Sequence, residues 1–300
     1  MRNLALFGVM SLIWGLTWAA IKFGIDAGVP PILLAGSRYL LTASILLLVV
    51  RELRSAFAEG RSGRIILSAL LTNAGTYGLL FWGMQTVPSG LSGLVNLSLI
   101  PVLLFALSAL VGEERPTWRH GIALGLGCVG LVGLFGSRLA EQHSENGMGL
   151  FAIVAGTCCY CIGSVVARPL IGPVKPLTLT MLHAIIGGAA LMVIALATGE
   201  IEPGTMSSLI SRPAIGSLLY LSILGTIVAY TLYLRLLKAW GTARAGLYAF
   251  IAPIIALAAG AWLFGETIGV AEIGGTMLLL LAAGIALSHN ARHTPGEDRT

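Results

Sequence analysis

A chain of 300 residues that is 56% hydrophobic and only 10% charged, with a mean hydropathy of +0.90, excludes a pair of soluble domains, whose surfaces hold about a quarter of their residues as charges. The 39 glycines lie inside apolar runs without a triplet period, which excludes collagen and flexible linkers and points to closely packed membrane helices. The net charge of +5, from 18 Lys and Arg against 13 Asp and Glu, is explained below by its distribution along the chain, and no nucleic-acid partner is expected.

A bilayer core of about 30 Å takes about 20 residues of helix. Cutting the chain where charges and prolines gather predicts ten spans, roughly 4–25, 32–50, 65–87, 91–111, 118–135, 148–171, 177–198, 214–237, 243–264 and 270–288. The fold class is therefore an all-α membrane protein with ten transmembrane helices. The run at 4–25 is longer than a signal-peptide core and has an internal counterpart, so it reads as the first span. Connections are short and only the tail 289–300 is polar throughout, so function is expected in the bundle or at its mouths.

The elements carry these candidates in chain order. The first span places Trp14, Thr17 and Trp18 at i, i+3, i+4, on one helical face. The second holds Arg38 about 9 Å in from its outer end, deep enough that an ionisable group is a functional candidate. Asn73, Thr76 and Tyr77 in the third repeat the spacing of the first, with Phe81 one turn on; the fourth offers Ser92 and Asn96. Gly121, Gly125, Gly130 and Gly133 in the fifth would permit close packing to a neighbour, giving a monomer or a weak homodimer. Tyr160 and Ser164 follow in the sixth, His183 in the seventh about as deep from the inner side, and Thr226, Tyr230 and Tyr233 in the eighth.

Alternating the connections between the two sides leaves only Lys22, Arg38, Arg138 and Arg212 of the 18 basic residues on one of them. By the positive-inside rule the crowded side, with both termini, is cytoplasmic. Cys128, Cys158, Cys159 and Cys161 all fall within predicted spans. The spacing of Cys158 and Cys161 suits redox or zinc chemistry, but without a His or acidic companion they read as small packing residues, and no metal or cofactor is expected.

Laying the second half on the first puts Trp14 over Tyr160, Lys22 over Arg168 and Pro30 over Pro176 at one offset, then Phe81 over Tyr233, Pro101 over Pro253 and Glu114 over Glu266 at another. Each half, 1–140 and 141–300, holds an odd number of spans, so the copies form two inverted five-helix repeats. With Trp14-Gly15 in the first span, and a proline followed about a dozen residues on by Gly112-Glu113-Glu114 or Gly265-Glu266, the chain resembles the drug/metabolite transporter superfamily, EamA branch. It is most similar to the bacterial exporters associated with aromatic amino acids and paraquat. The resemblance implies export by alternating access from the inner membrane, through a cavity lined by spans 1 to 4 and 6 to 9. The first copy has two glutamates where the second has one, so Glu113 and Glu114 both stand as the equivalent of Glu266.

Uncharged hydroxyl, amide and aromatic groups at mid-depth suit a zwitterion, whose ammonium can meet an aromatic face. The substrate-binding set is accordingly Trp14, Thr17, Trp18, Asn73, Tyr77, Phe81, Ser92, Asn96, Tyr160, Ser164, Thr226 and Tyr230, with Arg38 and His183 as gate or charge candidates. Each has a structural alternative. Trp18 could belong to the interfacial aromatic belt, Asn73 and Asn96 could join helices, and Thr17, Ser92 and Ser164 could bond their own preceding turn. Arg38 could snorkel outward, and Pro101 and Pro253 could break or bend their spans and free backbone carbonyls. No Asp or Glu lies near the middle of a predicted span, so facilitated transport without ion coupling is expected.

Rival classes are an exporter of cationic drugs, a carrier of phosphorylated sugars and an intramembrane serine protease, the last from Gly90-Leu91-Ser92-Gly93 with His183 as base. Fusing a reporter that is active only in the cytoplasm to either terminus should give full activity, and a periplasm-dependent reporter none. A periplasm-active fusion at either end would overturn the predicted topology.

Overall fold

The computed structural model describes residues 2–51, 60–110, 144–170, 173–233 and 248–290, with a few positions between them. The helices in chain order are α1 (Arg2–Asp26), α2 (Pro31–Val49), α3 (Ser62–Gly83), α4 (Ser89–Leu110), α5 (Ser144–Ala167), α6 (Pro176–Ala197), α7 (Pro203–Leu209), α8 (Arg212–Tyr233), α9 (Tyr248–Phe264) and α10 (Val270–Asn290). Six of them, α1, α2, α3, α5, α6 and α8, are long and apolar enough to cross a membrane. The short α7 has no counterpart among the predicted spans, and the predicted span at 118–135 lies largely outside the described residues, as do Glu113 and Glu114.

Prolines open several helices. Pro31 and Pro176 stand in the first turns of α2 and α6, and Pro213 in that of α8, where a missing N–H costs nothing and φ is already helical. Pro101 and Pro253 do not break the helices that contain them, because α4 and α9 run through both positions. The irregular backbone lies elsewhere. In α3 the stretch Leu70–Gly75, and in α8 the stretch Tyr220–Val228, wind as π-helix, with bonds five residues apart. Such turns widen the helix and redirect carbonyls, and they are frequent at functional sites.

The helices of the two halves pair across the molecule. α2 lies along α6, α4 along α9, α1 along α8 and α9, and α3 along α5 and α6. Inside lipid the drive to associate comes from close contact between small residues. Gly149, Gly156 and Gly163, two turns apart on α5, supply it: a Cβ on Gly156 would stand 2.8 Å from the Thr76 carbonyl oxygen, and one on Gly163 2.7 Å from the Thr72 methyl. The outer surface is conversely apolar, with Leu48 84% and Trp262 85% exposed, as a lipid-facing surface requires.

At one end of the bundle, two carboxylates of the second half close helix N-termini of the first. α6 and α9 both end in a glycine of positive φ, Gly199 at 75° and Gly265 at 64°, the left-handed turn that terminates a helix. The next residue is a glutamate in each case. Glu200 accepts from the Leu33 N–H at 2.8 Å. Glu266 accepts from the Ser89 N–H and Oγ, both at 2.8 Å, and from the Gly90 N–H at 3.0 Å. Negative charge against unsatisfied N–H groups is the favourable pairing at a helix start.

Burial raises the pKa of Glu200 above the ordinary carboxylate value, against the opposing pull of the Leu33 and Ile32 N–H groups. A raised acid favours its protonated form in the folded state. Its stabilisation is therefore complete below the unfolded value of about 4.3 and is lost as the pH rises through the folded value. Thermal melts of the detergent-solubilised protein should show that decline, and Glu200→Gln should flatten it; a pH response unchanged by the substitution would assign the effect to another group.

Candidate substrate site

Arg38 is a charged side chain buried in the bundle. Seven residues into α2, its side chain is 3% exposed and lies wholly inside the bundle, so it does not snorkel. Its guanidinium carbon sits 5.0 Å from the ring centre of Tyr39 and 4.7 Å from that of Tyr77, and Nη2 donates to Thr226 Oγ1 at 3.1 Å. Tyr77 in turn packs edge-on against Tyr39 and Phe81, at 5.3 and 6.1 Å between ring centres. Thr226 belongs to the π stretch of α8 and donates its own O–H to the Leu221 carbonyl, five residues back. The Arg38 carbonyl accepts from Ser222 of the same stretch, 2.9 Å away. Nε and Nη1 of Arg38 are buried and have no hydrogen-bond partner among the described residues.

A second aromatic group adjoins the first. Trp14 of α1 donates from Nε1 to the Gly225 carbonyl at 3.1 Å, a backbone oxygen within the π stretch of α8. Its ring lies 4.4 Å from Tyr248 and 5.7 Å from Tyr233 between centres, and Tyr233 stands 6.3 Å from Tyr230. The two groups adjoin along the π stretch of α8, where the Gly225 carbonyl accepts from Trp14 and the next residue, Thr226, accepts from Arg38.

The remaining candidates divide by what their polar atoms touch. Asn73, in the π stretch of α3, accepts from Thr72 at 3.0 Å and packs on Gly187 of α6. His183 is held between Ser68 and Thr72, with Nε2 2.9 Å from Ser68 Oγ and Nδ1 3.4 Å from Thr72 Oγ1. Asn96 donates to Thr157 at 3.0 Å and so ties α4 to α5. Thr17 and Ser164 bond the carbonyls of Ile13 and Tyr160, one turn back. Ser92 is fully buried and bonds the Pro88 carbonyl at 2.9 Å, while His183 bonds elsewhere, so the two form no nucleophile and base pair. Trp18 faces protein, at 5% exposure, with its indole against Gly93.

Three participants escaped the sequence reading. Tyr39 follows the candidate Arg38 directly, and that adjacency was its only signal. Tyr248 sits at the start of its helix, where an aromatic residue suggests the interface. Ser222 reads as one more serine in an apolar run, and only the π winding turns it onto the Arg38 carbonyl.

The chain matches the EamA-like transporter family twice, over residues 2–136 and 147–288. It belongs to that family. It is a multi-pass membrane transporter and not an enzyme. In Escherichia coli (strain K12) the protein named "Uncharacterized inner membrane transporter YedA" is 30% identical over 90% of this chain and 86% of its own length. A protein of Salmonella typhimurium named "Probable amino-acid metabolite efflux pump" is 28% identical over 90% of this chain and 89% of its own. A solved crystal structure shares the fold, with a TM-score of 0.60 and 18% identity over 98% of this chain and 99% of that one.

In this EamA-like transporter, Trp14→Phe keeps the ring contacts but leaves the Gly225 carbonyl without its donor. Unfolding in detergent should show a loss of about 1 kcal/mol, the scale of interhelical hydrogen bonds in membranes. An unchanged unfolding curve would show that the carbonyl finds another donor.

Proposed function

We propose that the chain exports small neutral metabolites, amino acids with aromatic and other uncharged side chains foremost, from the cell interior across the inner membrane. It does so by alternating access of two inverted five-helix repeats, 1–140 and 141–300, with both termini cytoplasmic and without ion coupling. The observation that carries this reading is the aromatic cluster where the halves meet, Trp14 against Tyr233 and Tyr248 with Tyr230 beside them, adjoining Tyr39, Tyr77 and Phe81 around Arg38. Aromatic faces with hydroxyl groups suit a ligand that is apolar at one end and polar at the other.

The inverted arrangement is supported by the helix pairing. Exchange of the two halves maps α1 against α8 onto α5 against α3, and leaves the pairs α2 with α6 and α4 with α9 unchanged, which is the contact pattern described above. It is also supported by the backbone, because the π stretches of α3 and α8 overlap once Phe81 is laid on Tyr233. The name of the Salmonella typhimurium relative supports the substrate class. A buried guanidinium among the aromatic rings disfavours the rival reading of cationic drugs as cargo.

Purified protein in liposomes loaded with a mixture of amino acids should release neutral and aromatic ones, and the release should survive collapse of the pH and ion gradients. Loss of release on collapsing the proton gradient would overturn the uncoupled mechanism. The absence of release for every amino acid would overturn the substrate class.

A further inference from the structure

We infer that Arg38 is the seat of the substrate's carboxylate, and that the transported species must present one to the N–H groups its guanidinium leaves unpaired. The inference rests on the transporter reading above and names the one chemical group its cargo cannot lack.

An arginine that only pins helices together spends its donors on protein. Arg38 spends Nη2 on Thr226 and leaves Nε and Nη1 buried and unpaired. A buried cation without a partner is a costly arrangement, and the faces of Tyr39 and Tyr77 offset that cost only in part. Among the described residues no carboxylate lies within ion-pairing distance of Arg38; the described salt bridge is Lys22 with Asp26 at 2.9 Å, on α1. The missing counter-charge therefore belongs to a ligand.

The geometry selects its kind. A planar guanidinium offers paired parallel donors that match the two oxygens of a carboxylate. Thr226 takes one N–H of Nη2 and the rings of Tyr39 and Tyr77 lie against the guanidinium, so the two oxygens go to the edge where the other Nη2 N–H runs parallel to an unpaired Nε or Nη1 donor. From there the apolar part of the ligand meets the aromatic faces of Tyr77, Tyr39 and Phe81, which pack on one another beside the guanidinium. The site is also built to form late. Nε and Nη1 are sealed from solvent, so a ligand reaches them only when the halves part, and the ion pair forms where no water competes.

Competition against labelled L-phenylalanine efflux in liposomes tests this on the unaltered protein. 3-Phenylpropionate, which keeps the carboxylate and lacks the amine, should compete. Phenylalaninamide, which keeps the amine and lacks the carboxylate, should compete more weakly by on the order of 10- to 100-fold, the range for losing charge-assisted hydrogen bonds. Equal competition by the amide would overturn the inference while leaving the exporter reading intact. Binding of 3-phenylpropionate by a protein that carries no amino acid would do the reverse. Arg38→Gln and Arg38→Lys should raise the KM for phenylalanine by a similar factor, with the lysine variant the less affected. A folded Arg38→Gln transporter with an unaltered KM would overturn the inference.

Discussion

Inside a bilayer no water is available to a polar group, so every N–H, carbonyl, hydroxyl and amide in the bundle has to be answered by another part of the protein. Most of the buried polar side chains follow from that constraint alone. Thr17, Thr42, Ser92, Thr157 and Ser164 turn back to the carbonyl four residues earlier, and Asn96 reaches across to Thr157. The constraint also explains why the π stretches are useful. Winding one residue wider frees backbone oxygens, and in α8 the indole of Trp14 takes the Gly225 carbonyl while Thr226 is brought to the Arg38 guanidinium. Among the described residues the buried side-chain atoms left unanswered are Ser11 Oγ and the Nε and Nη1 of Arg38, and only the latter carry charge.

The same constraint governs how the halves are joined. Helix N-termini are rows of unanswered N–H groups, and α2 and α4 have theirs met by Glu200 and Glu266, which arrive from helices of the other half. Each glutamate follows a glycine whose positive φ turns the chain out of its helix and aims the next side chain at the neighbour. The Gly-Glu pairs thus act as joints between halves, formed of backbone and carboxylate instead of apolar contact. Glycines two turns apart along α5 do the corresponding work deeper in the membrane, where backbones have to approach closely.

How much of this was legible in the sequence depends on whether a residue's role lies in its identity or in its partner. Helices were legible because their apolar lengths match a membrane; the six described ones long enough to cross it fall on predicted spans, with ends displaced by a few residues, as where 65–87 becomes Ser62–Gly83. Arg38 was legible as unusual because a guanidinium at that depth is costly wherever it points. Its direction was not, since snorkelling and burial are equal in sequence and only packing against Tyr39 and Tyr77 decides between them. Glu266 was legible as part of a recurring Gly-Glu pair, yet its contact with Ser89 spans the two halves and leaves no local signal. The interruptions were sought at Pro101 and Pro253, where an N–H is missing; they lie instead in α3 and α8, where the winding changes without a proline.

A single buried cation also bears on how such a transporter can turn over. Rearranging the halves around an unneutralised Arg38 means moving an ion pair's worth of uncompensated field through a medium that solvates it poorly. A bound carboxylate cancels that field locally, so on the proposed reading the loaded bundle rearranges more easily than the empty one, and a substrate on the far side speeds the return. His183, tied to Ser68 and Thr72, needs no part in this: its two ring nitrogens are already occupied by hydroxyls, and charging it would add a second cation to an interior whose described residues offer no acid beside it. Coupling of that kind is between ligand and conformation, set by whether Nε and Nη1 have a partner, and it requires no ion to drive it.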